Sequence, residues 1–211
     1  MTRWFRRADA GSDGWFEAGD DSVVVRQASF DEPHGTASVA ASRDELAWVH
    51  EQFGTLGAGL YTARYGALLN DSVEDDAGPV TEAVTRPIAE PVTEAEFEQA
   101  WRRARHGRNT SPPGPGGPLP QGTRLTGTVG ELPWGPGRTG LFVDLGLPIH
   151  CFVDLTGLPL DPGDWPAVGT VTEFEVTTVH FNFESGGDPQ IRLQPTATPP
   201  PGRPWPRPGR P

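Results

Sequence analysis

Leu141-Phe-Val-Asp-Leu-Gly146 and, two residues later, Ile149-His-Cys-Phe-Val-Asp-Leu155 decide how the second half of this chain is read. Both alternate apolar and polar side chains with a period of two, as a strand does when one face is buried. On that pattern Leu141, Val143, Leu145, Ile149, Cys151, Val153 and Leu155 point inward, and Phe142, Asp144, His150, Phe152 and Asp154 point outward. Working outward, Arg124–Glu131, Thr170–Val179 and Gln190–Leu193 read as three further strands. Five strands in about 70 residues suit an OB-type Greek-key barrel. In the fourth strand Phe174 and Val176 fall on even numbers, but Val179, Phe181 and Phe183 on odd ones. That change of phase predicts a β-bulge near Thr177-Thr178.

The same residues resemble the S1 RNA-binding domain. Gly127-Thr-Val129, Gly140-Leu-Phe-Val-Asp-Leu-Gly146, Cys151-Phe-Val-Asp-Leu155, Val168-Gly-Thr-Val171 and Ile191-Arg-Leu193 follow the order of that family's G-x-V, G-x-F-V-D-L-G, G-L-V-H-I-S, V-G-x-x-V and R-x-x-L segments. The resemblance implies a barrel that binds single-stranded RNA through exposed aromatic and basic residues. Phe142 stands at the family's stacking aromatic, and Trp134, inside the insertion Pro133–Arg138, stands in for its loop aromatic. The family's third-strand histidine falls at Asp154, its aspartate after the fourth strand near His180, and its fifth-strand basic residue near Gln190. The candidate binding face is therefore Phe142, Phe152, Trp134, His150, Asp154, His180 and Arg192.

Charge weighs against a nucleic-acid ligand. The chain carries 17 basic residues, all arginine, against 28 acids, for a net −11. Residues 1–110 hold 11 arginines against 19 acids, and residues 121–195 hold 3 against 9. Both regions would repel a phosphate backbone, whereas nucleic-acid binders carry a basic footprint. Two or three stacked bases contribute ~2–9 kcal/mol before ordering costs, and micromolar binding needs ~8 kcal/mol. Single-stranded RNA binding is therefore expected to be weak. An aromatic, acidic face suits a protein partner at least as well.

The first half reads as an α+β unit. Gly14–Glu17, Ser22–Phe30 and Thr36–Ala41 are predicted strands, with residues 1–13 frayed. Ser42 with Glu45, and Thr93 with Glu96, are spaced as capping boxes opening helices. Leu46, Val49 and Phe53 recur at helical spacing, and the glycines at 54, 57 and 59 predict a break before a second helix over 60–69. Asn70–Val92 reads as an acidic loop. Phe97, Ala100, Trp101 and Ala104 form an apolar stripe on the last helix, with Arg102, Arg103 and Arg105 expected near its C-terminal end.

Catalytic and metal chemistry find no motif. His34, His50 and His106 are far apart and fit no metal-ligand spacing. Asp71, Glu74, Asp75 and Asp76 lack the central glycine and distal glutamate of a calcium loop. Nucleophile-elbow, Walker and dinucleotide-binding signatures are absent. Cys151, the single cysteine, points inward and reads as core. No catalytic residue, metal or cofactor is expected.

Four segments follow: an α+β domain (1–110), a Pro/Gly linker (111–122), the S1-like all-β five-stranded OB-type barrel (123–195), and a disordered Pro/Arg tail (196–211). Prolines in the linker remove donors and fix φ, which makes it a semi-extended spacer. The tail has polyproline II character and P-x-x-P spacings. No apolar run is long enough to cross a membrane and the first residues lack a signal peptide's apolar core, so a cytoplasmic protein is expected. The function expected is non-catalytic binding or regulation, towards a protein partner first and single-stranded RNA second.

Overall fold

The structure, a computed structural model, describes residues 2–9, 11–32, 34–69, 89–112, 114, 116–133, 135, 137–183 and 187–206. The chain divides into two units, Met1–Gly114 and Pro115–Pro211. The acidic residues Asp71, Glu74, Asp75 and Asp76 lie outside the described residues, as do most of the expected loop and Trp134.

The N-terminal sheet begins in the stretch expected to fray. Strand β1 (Arg3–Asp9) pairs antiparallel with β2 (Ser12–Ala18), in register from Arg3↔Ala18 to Asp9↔Ser12. Phe5 stacks on Phe16 with centroids 5.0 Å apart, and Arg6 donates to Asp13 at 2.7 Å. Such cross-strand pairs stabilise a two-stranded register. Strands β3 (Val24–Asp31), β4 (Thr36–Ser42) and the short β5 (Glu90–Pro91) complete a five-stranded sheet in the order β4-β3-β2-β1-β5. Pro91 sits on the edge, where a missing N–H is tolerated.

Helix α1 (Arg43–Tyr65) is broken at Gly54, whose φ of 62° is non-helical, as the glycines predicted; the second helical part follows that break directly and ends at Tyr65, not at 69. The predicted capping box at its start does not form, because Ser42 makes no side-chain cap. Glu45 instead accepts hydrogen bonds from the Tyr61 hydroxyl at 2.7 Å and from Arg105 at 2.8 Å. The buried Ser42 amide donates to the Tyr61 hydroxyl at 2.8 Å, which leaves the Glu45 carboxylate to the stronger charge-assisted bond with the guanidinium. Helix α2 (Glu94–Thr110) does open with the predicted box, Thr93 and Glu96 bonding reciprocally. Its stripe buries Phe97, Ala100 and Ala104.

Arg102, Arg103 and Arg105 lie inside α2, which runs on to Thr110. The C-terminal carbonyls are satisfied by two other arginines in exchange. Arg64 of α1 donates to the carbonyls of Ser111 (2.6 Å) and Asn109 (2.9 Å). Arg108 of α2 donates to the carbonyls of Arg64 (2.7 Å) and Ala63 (3.1 Å). Each helix thus caps the other's orphan carbonyls, where a cation also suits the dipole. Burial pulls both guanidinium groups below the ordinary arginine range.

In the second unit five strands close a barrel: β6 (Arg124–Val129), β7 (Leu141–Asp144), β8 (His150–Val153), β9 (Val171–Asn182) and β10 (Gly187–Pro195). The order around it is β10-β8-β7-β6-β9, with β10 parallel to β8 and the other pairs antiparallel. This mixed closure is consistent with an OB-type fold. Leu141, Val143, Ile149, Cys151 and Val153 are buried as the alternation requires. Leu155 is not: it is 44 % exposed, because β8 ends at Val153 and a 3-10 turn (Leu155–Gly157) begins, and Leu158 is buried in its stead. The bulge falls where expected. Arg192 pairs with Thr178 and Leu193 with Val176, leaving Thr177 as the extra residue.

Two glycines of the S1-like motifs have steric reasons. A Cβ on Gly127 would meet Val143 Cγ1 at 2.5 Å and Leu145 Cδ2 at 2.6 Å. Gly140 has φ +130°, and a Cβ there would meet the Val153 carbonyl at 2.2 Å. The tail, expected to be solvated from residue 196, is bonded to the barrel as far as Pro206; residues 207–211 lie outside the described ones. No described helix is long and apolar enough to cross a membrane.

Candidate binding face

Strand register assembles the candidate face. Outward-pointing residues of β7, β8, β10 and β9 fall into rows across the barrel. One row runs Phe142↔Phe152↔Arg192↔Thr178, and the next runs His150↔Gln190↔His180. Six of the seven predicted face residues are described, and all lie in these rows or, for Asp154, directly after β8. Trp134 lies outside the described residues.

The centre of the face is aromatic. Phe142 and Phe152 meet edge to face with centroids 5.1 Å apart, and the His150 ring is 6.0 Å from Phe142. Both phenylalanines are half-buried. An open cavity of about 350 Å³ lies beside Phe142, bordered by Glu131, Asp144, Leu147 and His150.

The face's cation is already engaged. Arg192 lies over the Phe152 ring at 4.9 Å and donates to Asp154 at 2.7 Å. Its side chain is 23 % exposed and that of Asp154 53 % exposed, so the pair itself contributes ~0–1 kcal/mol. For a ligand, a base stacking on that side of Phe152 has to displace the Arg192 guanidinium from the ring. His150 lies 3.8 Å from Asp188, and Arg124, on the neighbouring β6, lies between Glu173 (4.0 Å) and Glu175 (3.7 Å). The acid-to-arginine imbalance of the sequence thus reappears as carboxylates beside Arg124 and Arg192.

Sequence reasoning named Arg192, Phe152 and Asp154 separately and missed that they form one stack. The parallel β8–β10 pairing joins segments about 40 residues apart in sequence, which no short-range pattern shows. Asp188, beside His150, was missed for the same reason.

Cys151 is buried, bonded to the Ile149 carbonyl at 3.3 Å, and burial with the nearby Asp144 pushes its thiol up to about 12. A thiol so raised is a poor nucleophile at neutral pH. His34, His50 and His106 are all exposed. Among the described residues no group of three or more His, Cys, Asp or Glu side chains is placed to hold a metal ion.

No family model matches the chain, and no curated protein matches it. Among solved structures it is similar to a multidomain protein with nucleic acid binding domains from Streptococcus pneumoniae TIGR4, over 93 % of this chain and 51 % of that one, at 14 % identity and a TM-score of 0.28. The chain spans about half the length of that protein. At that TM-score the likeness carries no argument about fold or ligand.

Proposed function

We propose that this chain is a non-catalytic binding protein whose OB-type barrel docks a protein partner on the Phe142–Phe152 face. The observation that carries this reading is Arg192, stacked on Phe152 and bonded to Asp154. A phosphate-binding surface needs cations free to neutralise phosphates. Here Arg192 and Arg124 are turned towards carboxylates, and Asp144, Asp154 and Asp188 edge the aromatics. A half-buried aromatic pair rimmed by charge has the anatomy of a protein-binding patch.

Weak single-stranded RNA binding is the second reading. It is favoured by position, since β7 and β8 are the second and third strands of the barrel, the face that OB-folds use for oligonucleotides. Co-purification with and without nuclease, using wild type and Phe142→Ala, separates the two. The protein reading expects the same partner to be recovered after nuclease and lost with Phe142→Ala. A partner that disappears on nuclease treatment points to RNA.

A further inference from the structure

Beyond the aromatic face, we infer a second recognition site on the barrel: a groove along residues 163–172 that takes a turn-plus-indole segment, filled in cis by the chain's own Gly202–Pro206. Three hydrogen bonds hold that segment. The Gly202 amide donates to Asp164 Oδ1 at 2.9 Å, Trp205 Nε1 donates to the Asp164 carbonyl at 2.9 Å, and Thr172 Oγ1 donates to the Pro206 carbonyl at 2.8 Å. Asp164 therefore reads both the turn and the indole.

The segment is built to bind with little ordering cost. Arg203 N donates to the Pro200 carbonyl at 3.0 Å, closing a turn with Pro201 and Gly202 at its centre. Gly202 has φ +72°, the value a type II turn demands at its third residue, and proline is favoured at the second. Pro204 and Pro206 fix the backbone beyond, and a residue before proline is itself restricted. A preorganised ligand loses less entropy on docking.

Trp205 is the anchor. It is half-buried, while every other residue from 201 to 206 is exposed. Its indole N–H finds an acceptor, as a docked tryptophan requires. Residues 196–206 beyond β10 belong to no strand pairing, so undocking 202–206 leaves the barrel ladder whole. The groove also has spare room. An open cavity of about 1030 Å³ lies between residues 163–171 and the docked tail, and Val168 (60 %) and Val171 (43 %) are exposed in that stretch. A site larger than its cis occupant, held by one anchor and three hydrogen bonds, releases and recaptures that occupant.

The test uses the full chain and a fluorescently labelled synthetic peptide with the sequence of residues 199–211. The peptide is expected to bind the full-length Trp205→Ala protein, whose own tail has lost its anchor, at least tenfold more tightly than wild type. Adding Thr172→Val, which removes the hydroxyl donor at constant volume, should weaken that binding several-fold. Failure to bind either protein at millimolar peptide, or equal affinity for both, overturns the inference. Light scattering should give a wild-type mass independent of concentration; a dimer exchanging tails overturns occupancy in cis. Should Trp205→Ala misfold, hydrogen exchange in wild type decides: the Gly202 amide is expected to be protected, and exchange at the rate of an open chain overturns the site.

Discussion

In the N-terminal unit the buried Arg64 and the half-buried Arg108 lie across the ends of each other's helices, Arg105 spans Glu45 and the Tyr65 ring at 3.9 Å, and Arg26 joins Glu17 and Glu98 over Phe97 at 4.9 Å. In the barrel Arg124 lies at the surface beside two glutamates, and Arg192 covers an aromatic ring while bonded to Asp154. In a chain without lysine, arginine is therefore used in two ways: as a cross-link between elements at Arg26, Arg64, Arg105 and Arg108, and as a surface group at Arg7 and, in the barrel, at Arg124. The guanidinium suits the first use because its planar fork satisfies two carbonyls or a carboxylate at once. In the barrel the same fork lies over Phe152 and bonds Asp154 at once, through Arg192.

That contrast can be broken by substitution. Arg64→Met strands two carbonyls at the end of α2 and should cost about 3 kcal/mol, read as a lower urea midpoint for the N-terminal unit. Combining it with Arg108→Met should cost less than the two single changes together, because the two caps share one junction. Neither change should move the barrel's transition.

Cys151 provides a pH test confined to the barrel. Its folded-state pKa is raised from 9.0 to about 12, so its contribution is complete below pH 9 and is lost as pH rises towards 12. The barrel's stability should fall by about 1.4 kcal/mol per pH unit across that window. Urea midpoints at pH 8 and 10 check this, and Cys151→Ala should remove the slope. A smaller effect, about 1 kcal/mol, is expected for Thr93→Ala, which removes the capping box of α2. Smallest is Arg124→Ala, within about 0.5 kcal/mol by thermal melting, since its ion pairs are exposed and screened. A large loss there would erase the distinction between the two uses of arginine.

The barrel was the more legible unit. Alternation located Leu141–Asp144 and His150–Val153, and the phase change from Val176 to Val179 located the bulge. These signals are local and physical, since a buried face must repeat every second residue. Leu155 broke the pattern because nothing local announces where a strand yields to a 3-10 turn. In the first unit the strand Arg3–Asp9 was hidden, since Trp4-Phe-Arg-Arg7 does not alternate apolar with polar and finds its partner only in the hairpin with Ser12–Ala18. Ser42 and Glu45 had capping-box spacing, but Arg105, 60 residues away, competes for the glutamate. The face residues were legible one by one as outward positions. Their assembly was not, because rows across β7, β8 and β10 depend on pairings distant in sequence. The docked tail was hidden for a related reason: its composition reads as solvated, and its acceptor, Asp164, lies in an unremarkable turn.

The central proposal is that the aromatic face docks a protein surface and not a phosphate backbone. Titration of a labelled single-stranded RNA dodecamer at low salt, with wild type and Phe142→Ala followed by fluorescence anisotropy, tests it most directly. The account predicts no saturation at tens of micromolar protein and no difference between the two proteins. Saturable micromolar binding by wild type, abolished by Phe142→Ala and weakened by added salt, would contradict it.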